Sequence, residues 1–159
     1  MEESNIQLKK NNKDLETKLT KLEDEVNLIG CDDYNVLSNS KRKTSNSGYH
    51  GYICDNTING GDEISPDWKG EGWYRVIGPA GSKVADTPIE LSHCGTAGSR
   101  YVQGSHPILI GETVKTKACY KDGNTLCKYP QNVKIRNCGT YFLYYLPNTS
   151  HCSQGYCTI

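Results

Sequence analysis

From Leu8 to Ile29 the apolar residues of the chain fall at Leu8, Leu15, Leu19, Leu22, Val26, Leu28 and Ile29, and, Leu28 aside, the steps between them from Leu15 onward are four, three, four and three. That spacing is the 3.5-residue period of a heptad seam. No Gly or Pro interrupts residues 5–29, so the segment predicts a single helix. With Leu8, Leu15, Leu22 and Ile29 at d, the a positions are Asn5, Asn12, Leu19 and Val26. Leu at d with a buried Asn at a is the pattern of a parallel dimer. Lys18 at g and Glu23 at e flank Leu19 and Leu22 in the manner of trimeric coils, so dimer and trimer both stay open. A helix lying on its own domain is the competing reading, but two apolar positions per heptad make a narrow stripe for that purpose. Gly30 stands where a left-handed cap would end the helix.

Beyond Gly30 the helical period disappears. Residues 32–47 are polar and read as a surface loop, with the basic triplet Lys41-Arg42-Lys43 as solvated charge or a contact for an acidic glycan or membrane face. Tyr49 to Cys54 is short and aromatic, and Trp73 to Ile77 has strand composition. Thr113 to Tyr120 alternates, with Val114, Thr116 and Ala118 opposite Lys115 and Lys117, and Val133 to Arg136 alternates again. Tyr141 to Leu146 is apolar or aromatic on both faces, which predicts a central strand. Turn residues at Asn59-Gly60-Gly61-Asp62, Gly70-Glu71-Gly72 and Gly78-Pro79-Ala80-Gly81 separate these runs. The expected architecture is mostly β: a disulfide-rich antiparallel domain over 30–159, preceded by one coiled-coil helix over 1–29.

Composition sharpens this picture. The apolar fraction is 35 %, with one Phe, two Trp and one Met, so aliphatic residues alone would make a thin core. Eleven Tyr and eight Cys offset that. All eight cysteines follow residue 30, no Cys-x-x-Cys pair occurs, and an even number in one domain reads as a disulfide framework in an oxidising compartment. Reduced thiols or a zinc site are the alternatives, and only Cys152 and Cys157, with four residues between them, fall within the usual spacing of zinc ligand pairs. Formal net charge is zero, which gives no nucleic-acid footprint, and no run of apolar residues is long enough for a transmembrane span. The polar start, Met1-Glu2-Glu3-Ser4-Asn5, carries no signal-peptide core. An extracellular location is therefore expected with the signal upstream of this chain or with unconventional secretion.

Several blocks, taken in order, resemble the eight-cysteine extracellular domain of the uromodulin type. They are Gly72-Trp73-Tyr74-Arg75-Val76, Cys94-Gly95-Thr96, Gly104-Ser105-His106-Pro107, Gly111-Glu112-Thr113-Val114, Lys117-Ala118-Cys119, Val133 through Tyr141, and the closing Cys152 and Tyr156-Cys157. The resemblance covers Cys31 to Cys157 and none of the heptads. Spacing alone leaves the connectivity of eight cysteines open. The resemblance implies Cys31 with Cys138, Cys54 with Cys152, Cys94 with Cys157, and Cys119 with Cys127. It also implies a non-enzymatic module for adhesion, matrix assembly or pathogen binding.

Candidate chemistry is sparse. Among His50, His93, His106 and His151, two adjoin cysteines, Cys94 and Cys152, which the resemblance assigns to bridges. No nucleophile elbow, phosphate loop or His-Glu-x-x-His is present, so no catalytic residue and no cofactor is expected. Asp32-Asp33, Asp55, Asp62-Glu63 and Asp67 lack the spacing of a calcium loop and read as solvated charges, with calcium left open. Asn148-Thr149-Ser150 is a glycosylation sequon beside Pro147, in an expected loop. The expected partners are the chain itself, as a parallel dimer or trimer through residues 5–29, and an extracellular protein or glycan. A lectin-like reading would use Trp68, Trp73 and Tyr101 as exposed aromatics.

Overall fold

The computed structural model describes residues 1–48 and 52–159. Tyr49, His50 and Gly51 lie outside them, and so does the start of the run expected at Tyr49–Cys54. From Tyr52 to Cys54 the chain belongs to no strand; Tyr52 and Ile53 both donate their amides to the Gly95 carbonyl.

Helix α1 runs from Glu2 to Asn27 and has no buried residue. It ends earlier than the seam suggested. Leu28 caps it in right-handed geometry and Ile29, placed at d, lies beyond the last turn. Gly30 turns the chain at φ +84° and delivers it to Cys31. The side chain of Arg136 holds this exit by donating from Nη2 to the carbonyls of Asn27 (3.1 Å) and Ile29 (2.6 Å). A cation at carbonyls that lack helical partners is the favourable arrangement for a helix C-terminus.

The rest is mostly β. Strands β1 (Asn35–Leu37), β2 (Gly72–Val76), β3 (Gly98–Val102), β4 (Thr113–Asp122), β5 (Thr125–Asn137), β6 (Phe142–Leu146) and β7 (Gln154–Tyr156) form one seven-stranded half-barrel sheet ordered β1-β2-β6-β5-β4-β3-β7. As the two-faced apolar pattern implied, β6 is interior, paired with β2 and β5. Pairing is antiparallel through the interior of the sheet, as expected, and each edge adds a parallel pair, β1 with β2 and β7 with β3. Neither edge strand is a hairpin neighbour of its partner, so turn length does not dictate its direction.

The alternating strands put Tyr74 and Val76, Ala118, Val133 and Ile135, and Tyr144 and Leu146 into the main core with Leu37, Trp68, Val84, Val102 and Tyr156. Aromatic rings do much of the filling. Trp68 stacks on Tyr74 with centroids 4.6 Å apart and planes 4° from parallel, and tilts against Tyr156 at 5.6 Å. Burial pushes the Tyr74 hydroxyl up to about 12, so it stays neutral and links the Lys69 amide to the Gly70 carbonyl.

Candidate functional site

Four bridges close the domain: Cys31–Cys138, Cys54–Cys152, Cys94–Cys157 and Cys119–Cys127, spanning 107, 98, 63 and 8 residues with Cα separations of 5.1–6.0 Å. These are the pairs the resemblance implies. Three of them tie early or middle segments to the last stretch of chain, after Asn137. In the chain-entropy account the longest closure stabilises by about 4–5 kcal/mol and the shortest by about 2–3 kcal/mol. With every cysteine bridged, no thiol lies beside His93 or His151 to act as a nucleophile.

Beneath the bridges lies a charged cluster that the sequence did not disclose. Arg42, the middle of the basic triplet, is fully buried. Its Nη1 and Nη2 donate to the two oxygens of Asp55 at 2.6 and 2.7 Å; Nε and Nη2 donate to the two oxygens of Asp67 at 2.9 and 2.6 Å. A fifth bond reaches the Tyr156 carbonyl at 3.2 Å. Asp67 also accepts from the amides of Ser38 and Asn39, and Asp55 from the amide of Tyr156. Burial disfavours the charged Asp67 carboxylate, but the bonds and charge of Arg42 outweigh it and hold the group below its ordinary range. The same competition, with Asp55 as the main attraction, raises Arg42 above its ordinary value. The reading as solvated charges is therefore corrected for Arg42, Asp55 and Asp67, while Lys41 stays exposed. A buried ion is tolerated only where its partners are complete, and here two carboxylates converge on one planar fork.

The sequon sits against that cluster. Asn148 accepts at Oδ1 from Trp68 Nε1 (3.0 Å), the Thr57 amide (2.8 Å) and Thr57 Oγ1 (3.1 Å). An indole and a backbone amide can only donate, which fixes the oxygen inward and leaves Nδ2, the atom a glycan would use, outside these bonds. Thr149 is docked through the Asp55 carbonyl, and Ser150 is exposed.

The other residues singled out in the sequence fall apart in space. His106 is nearly buried between Asp86 (3.3 Å) and the Tyr144 hydroxyl (2.7 Å), and burial lowers its basicity. His93 bonds the Leu91 carbonyl through its ring, and His151 is exposed at the far end of the sheet. Trp68 and Tyr101 are buried rather than displayed, one stacked in the core and the other donating to the Leu126 carbonyl. Trp73 alone of the three is half-exposed. The seam is open to solvent along its length, from 57 % exposure at Leu19 to 68 % at Ile29, with Leu8, Asn12, Leu15, Leu22 and Val26 exposed between. No helix among the described residues is long and apolar enough to cross a membrane. Among the same residues no cluster of three or more His, Cys, Asp or Glu could hold a metal.

A half-barrel sheet closed by four bridges, with a buried ion cluster beside its apolar core, defines a disulfide-stapled extracellular β module. Residues 74–158 match the family model of the uromodulin-like eight-cysteine domain, and the chain belongs to that family. Pancreatic secretory granule membrane major glycoprotein GP2 of Mus musculus is 30 % identical over 132 residues, covering 80 % of this chain and 23 % of the relative. The corresponding Homo sapiens protein is 29 % identical over 131 residues (81 % and 22 %), and Mus musculus uromodulin 28 % identical over 129 residues (80 % and 18 %). The chain thus spans about a fifth of the length of the curated relatives it matches. Neither the family model nor these relatives' names indicate an enzyme.

Proposed function

We propose that this protein is a non-enzymatic extracellular binding module in which residues 30–159 engage a protein or glycan ligand and residues 1–29 join two or three copies in parallel. The exposed seam carries the reading. A helix of 26 residues with no buried side chain is held by its own domain only at its exit, and helices left alone in water are marginal. Pairing the seam between copies would bury Leu15, Leu19, Leu22 and Val26 together. Joined domains raise the effective concentration of weak sites. Asn148 is assigned as an N-glycan site in the loop after β6. The lectin-like alternative loses support from the burial of Trp68 and Tyr101.

The experiment compares the full chain with its Leu19→Asp/Val26→Asp variant by light scattering and on glycan and extracellular-protein arrays. The parent should have the mass of a dimer or trimer and the variant that of a monomer. Apparent affinity for any immobilised ligand should fall by about a hundredfold or more as avidity is lost. Equal masses would overturn the coiled coil, and silence on both arrays would overturn the binding module.

A further inference from the structure

We propose that the outer face of the sheet, along the row Lys115–Lys134–Tyr145–Trp73, is a binding site for an anionic oligosaccharide. The proposal rests on the binding-module reading and gives its ligand a chemical class and a place. Successive side chains of a strand point to opposite faces. Tyr74, Ala118, Val133, Ile135 and Tyr144 are buried on one face, so their sequence neighbours Trp73, Lys117, Lys134 and Tyr145 stand on the other. Register then builds the row across four strands. Lys115 is opposite Lys134, Lys134 opposite Tyr145, and Tyr145 opposite Trp73. Lys117 stands two residues from Lys115 on the same face and donates its ammonium to Asn132.

Two lysines directly opposite on one face repel each other, which is a cost to the free domain. Among the described residues, no carboxylate lies within ion-pair distance of Lys115, Lys117 or Lys134. Lys115 and Lys134 line a shallow concavity of about 350 Å3 together with Thr116, Asn132 and Tyr145, and Lys117 reaches its edge through Asn132. Its one acidic lining residue, Glu71, is turned to Tyr145. Trp73 and Tyr145 meet edge to face at 5.5 Å, both half-buried, and the Lys134 ammonium lies 5.3 Å from the Tyr145 ring centre. Fixed ring surfaces suit the apolar C–H face of a sugar, and the ammonium groups suit its sulfate or carboxylate. Because the whole chain is neutral, this positive field is local rather than a bulk attraction to polyanions.

An acidic peptide would satisfy the lysines but could not extend the sheet here. Strands β2, β6, β5 and β4 are each paired on both sides, so no backbone edge is offered on this face. The linear triplet Lys41-Arg42-Lys43 is no rival for the same ligand, since its central guanidinium is consumed by Asp55 and Asp67.

The full chain is titrated with a heparin-derived tetrasaccharide, an unsulfated uronate-bearing tetrasaccharide, neutral maltotetraose and an oligoglutamate peptide. One or both anionic sugars should bind, more weakly as salt rises, and maltotetraose should not. The two anionic arms tell sulfate from carboxylate recognition. Lys115→Gln/Lys134→Gln should lower that affinity by about tenfold or more while leaving thermal stability unchanged or higher. Lys41→Gln/Lys43→Gln should have no effect. The fluorescence change on binding should vanish in Trp73→Phe and survive in Trp68→Phe. Failure of both anionic sugars to bind, undiminished affinity in the Lys115/Lys134 variant, or oligoglutamate binding as tightly as the sugars would each overturn the site. If ligands on the arrays bind regardless of Lys115 and Lys134, the site fails and the module reading stands.

Discussion

The indole nitrogen of Trp68 donates to the side-chain oxygen of Asn148 at 3.0 Å, across 80 residues of sequence. Trp68 in turn stacks on Tyr74, so the loop after β6 is fastened to the middle of the core by one amide oxygen. Thr57 adds two donors to the same atom. The amide is thereby oriented with its oxygen inward in the folded chain.

Two consequences of that orientation can be separated. Protein recovered from the secretory pathway should lose mass on glycosidase treatment, and Asn148→Gln should abolish that loss; unchanged mass in secreted wild-type protein would refute glycosylation at this site. In unglycosylated protein the same substitution should still lower stability by about 1–3 kcal/mol in urea unfolding, because Trp68 and Thr57 lose their acceptor.

Within the basic triplet, neighbouring residues should behave very differently. Arg42→Ala leaves two buried carboxylates without their cation and should cost about 3–5 kcal/mol, enough to unfold much of the population. Lys41→Ala and Lys43→Ala should change stability by no more than about 0.5 kcal/mol. Chemical denaturation of the three variants decides this, and equal effects would mean that the Arg42 cluster contributes no more than surface charge.

Acid should weaken the domain in two stages. Burial lowers His106 from its ordinary value of 6.5, with the Asp86 charge opposing, so the fold favours the neutral ring. The unfolded chain then takes up this proton first, and stability falls as pH drops below about 6.5. Asp67 is held below its ordinary 3.8, so its contribution is complete above that value and is lost as pH falls through and below it. Urea midpoints measured from pH 8 to 3 should show both declines, and His106→Gln should remove the first. A midpoint flat from pH 7 to 5 in the wild type would contradict the burial of His106.

In the helix, Asn12 stands at an a position, and replacing it with Ile should strengthen association and loosen the choice between dimer and trimer. Scattering mass as a function of concentration tests this. Weaker association in Asn12→Ile would show that the heptad register is wrong.

Strands with one buried and one solvated face were readable from the chain alone. The alternation of Thr113–Tyr120 and Val133–Arg136 became β4 and the second half of β5, and the apolar run of Tyr141–Leu146 became the interior strand β6. β3 was missed because Gly98 to Val102 is buried throughout and shows no period. At its centre Arg100 is buried against Gln154 and the carbonyls of Ala118 and Tyr129. β1 and β7, three residues each, are too short to show a pattern and exist only through their partners.

By itself the sequence determined whatever depends on short-range periodicity and composition: a helix with a 3.5-residue seam, strands with two unlike faces, and a cysteine set suited to an oxidising compartment. Its ordered blocks also resembled a family whose pairings the bridges follow. Tertiary structure alone decided which charges are buried and which faces meet. Arg42, Asp55 and Asp67 are hidden because residues 13 and 25 apart from Arg42 converge on one guanidinium, and no local signal distinguishes such carboxylates from solvated ones. The row Lys115–Lys134–Tyr145–Trp73 likewise exists only through register, since its members come from four strands that sequence does not place side by side. Burial and register are properties of contacts distant in the chain, and a linear pattern carries only the neighbours along it.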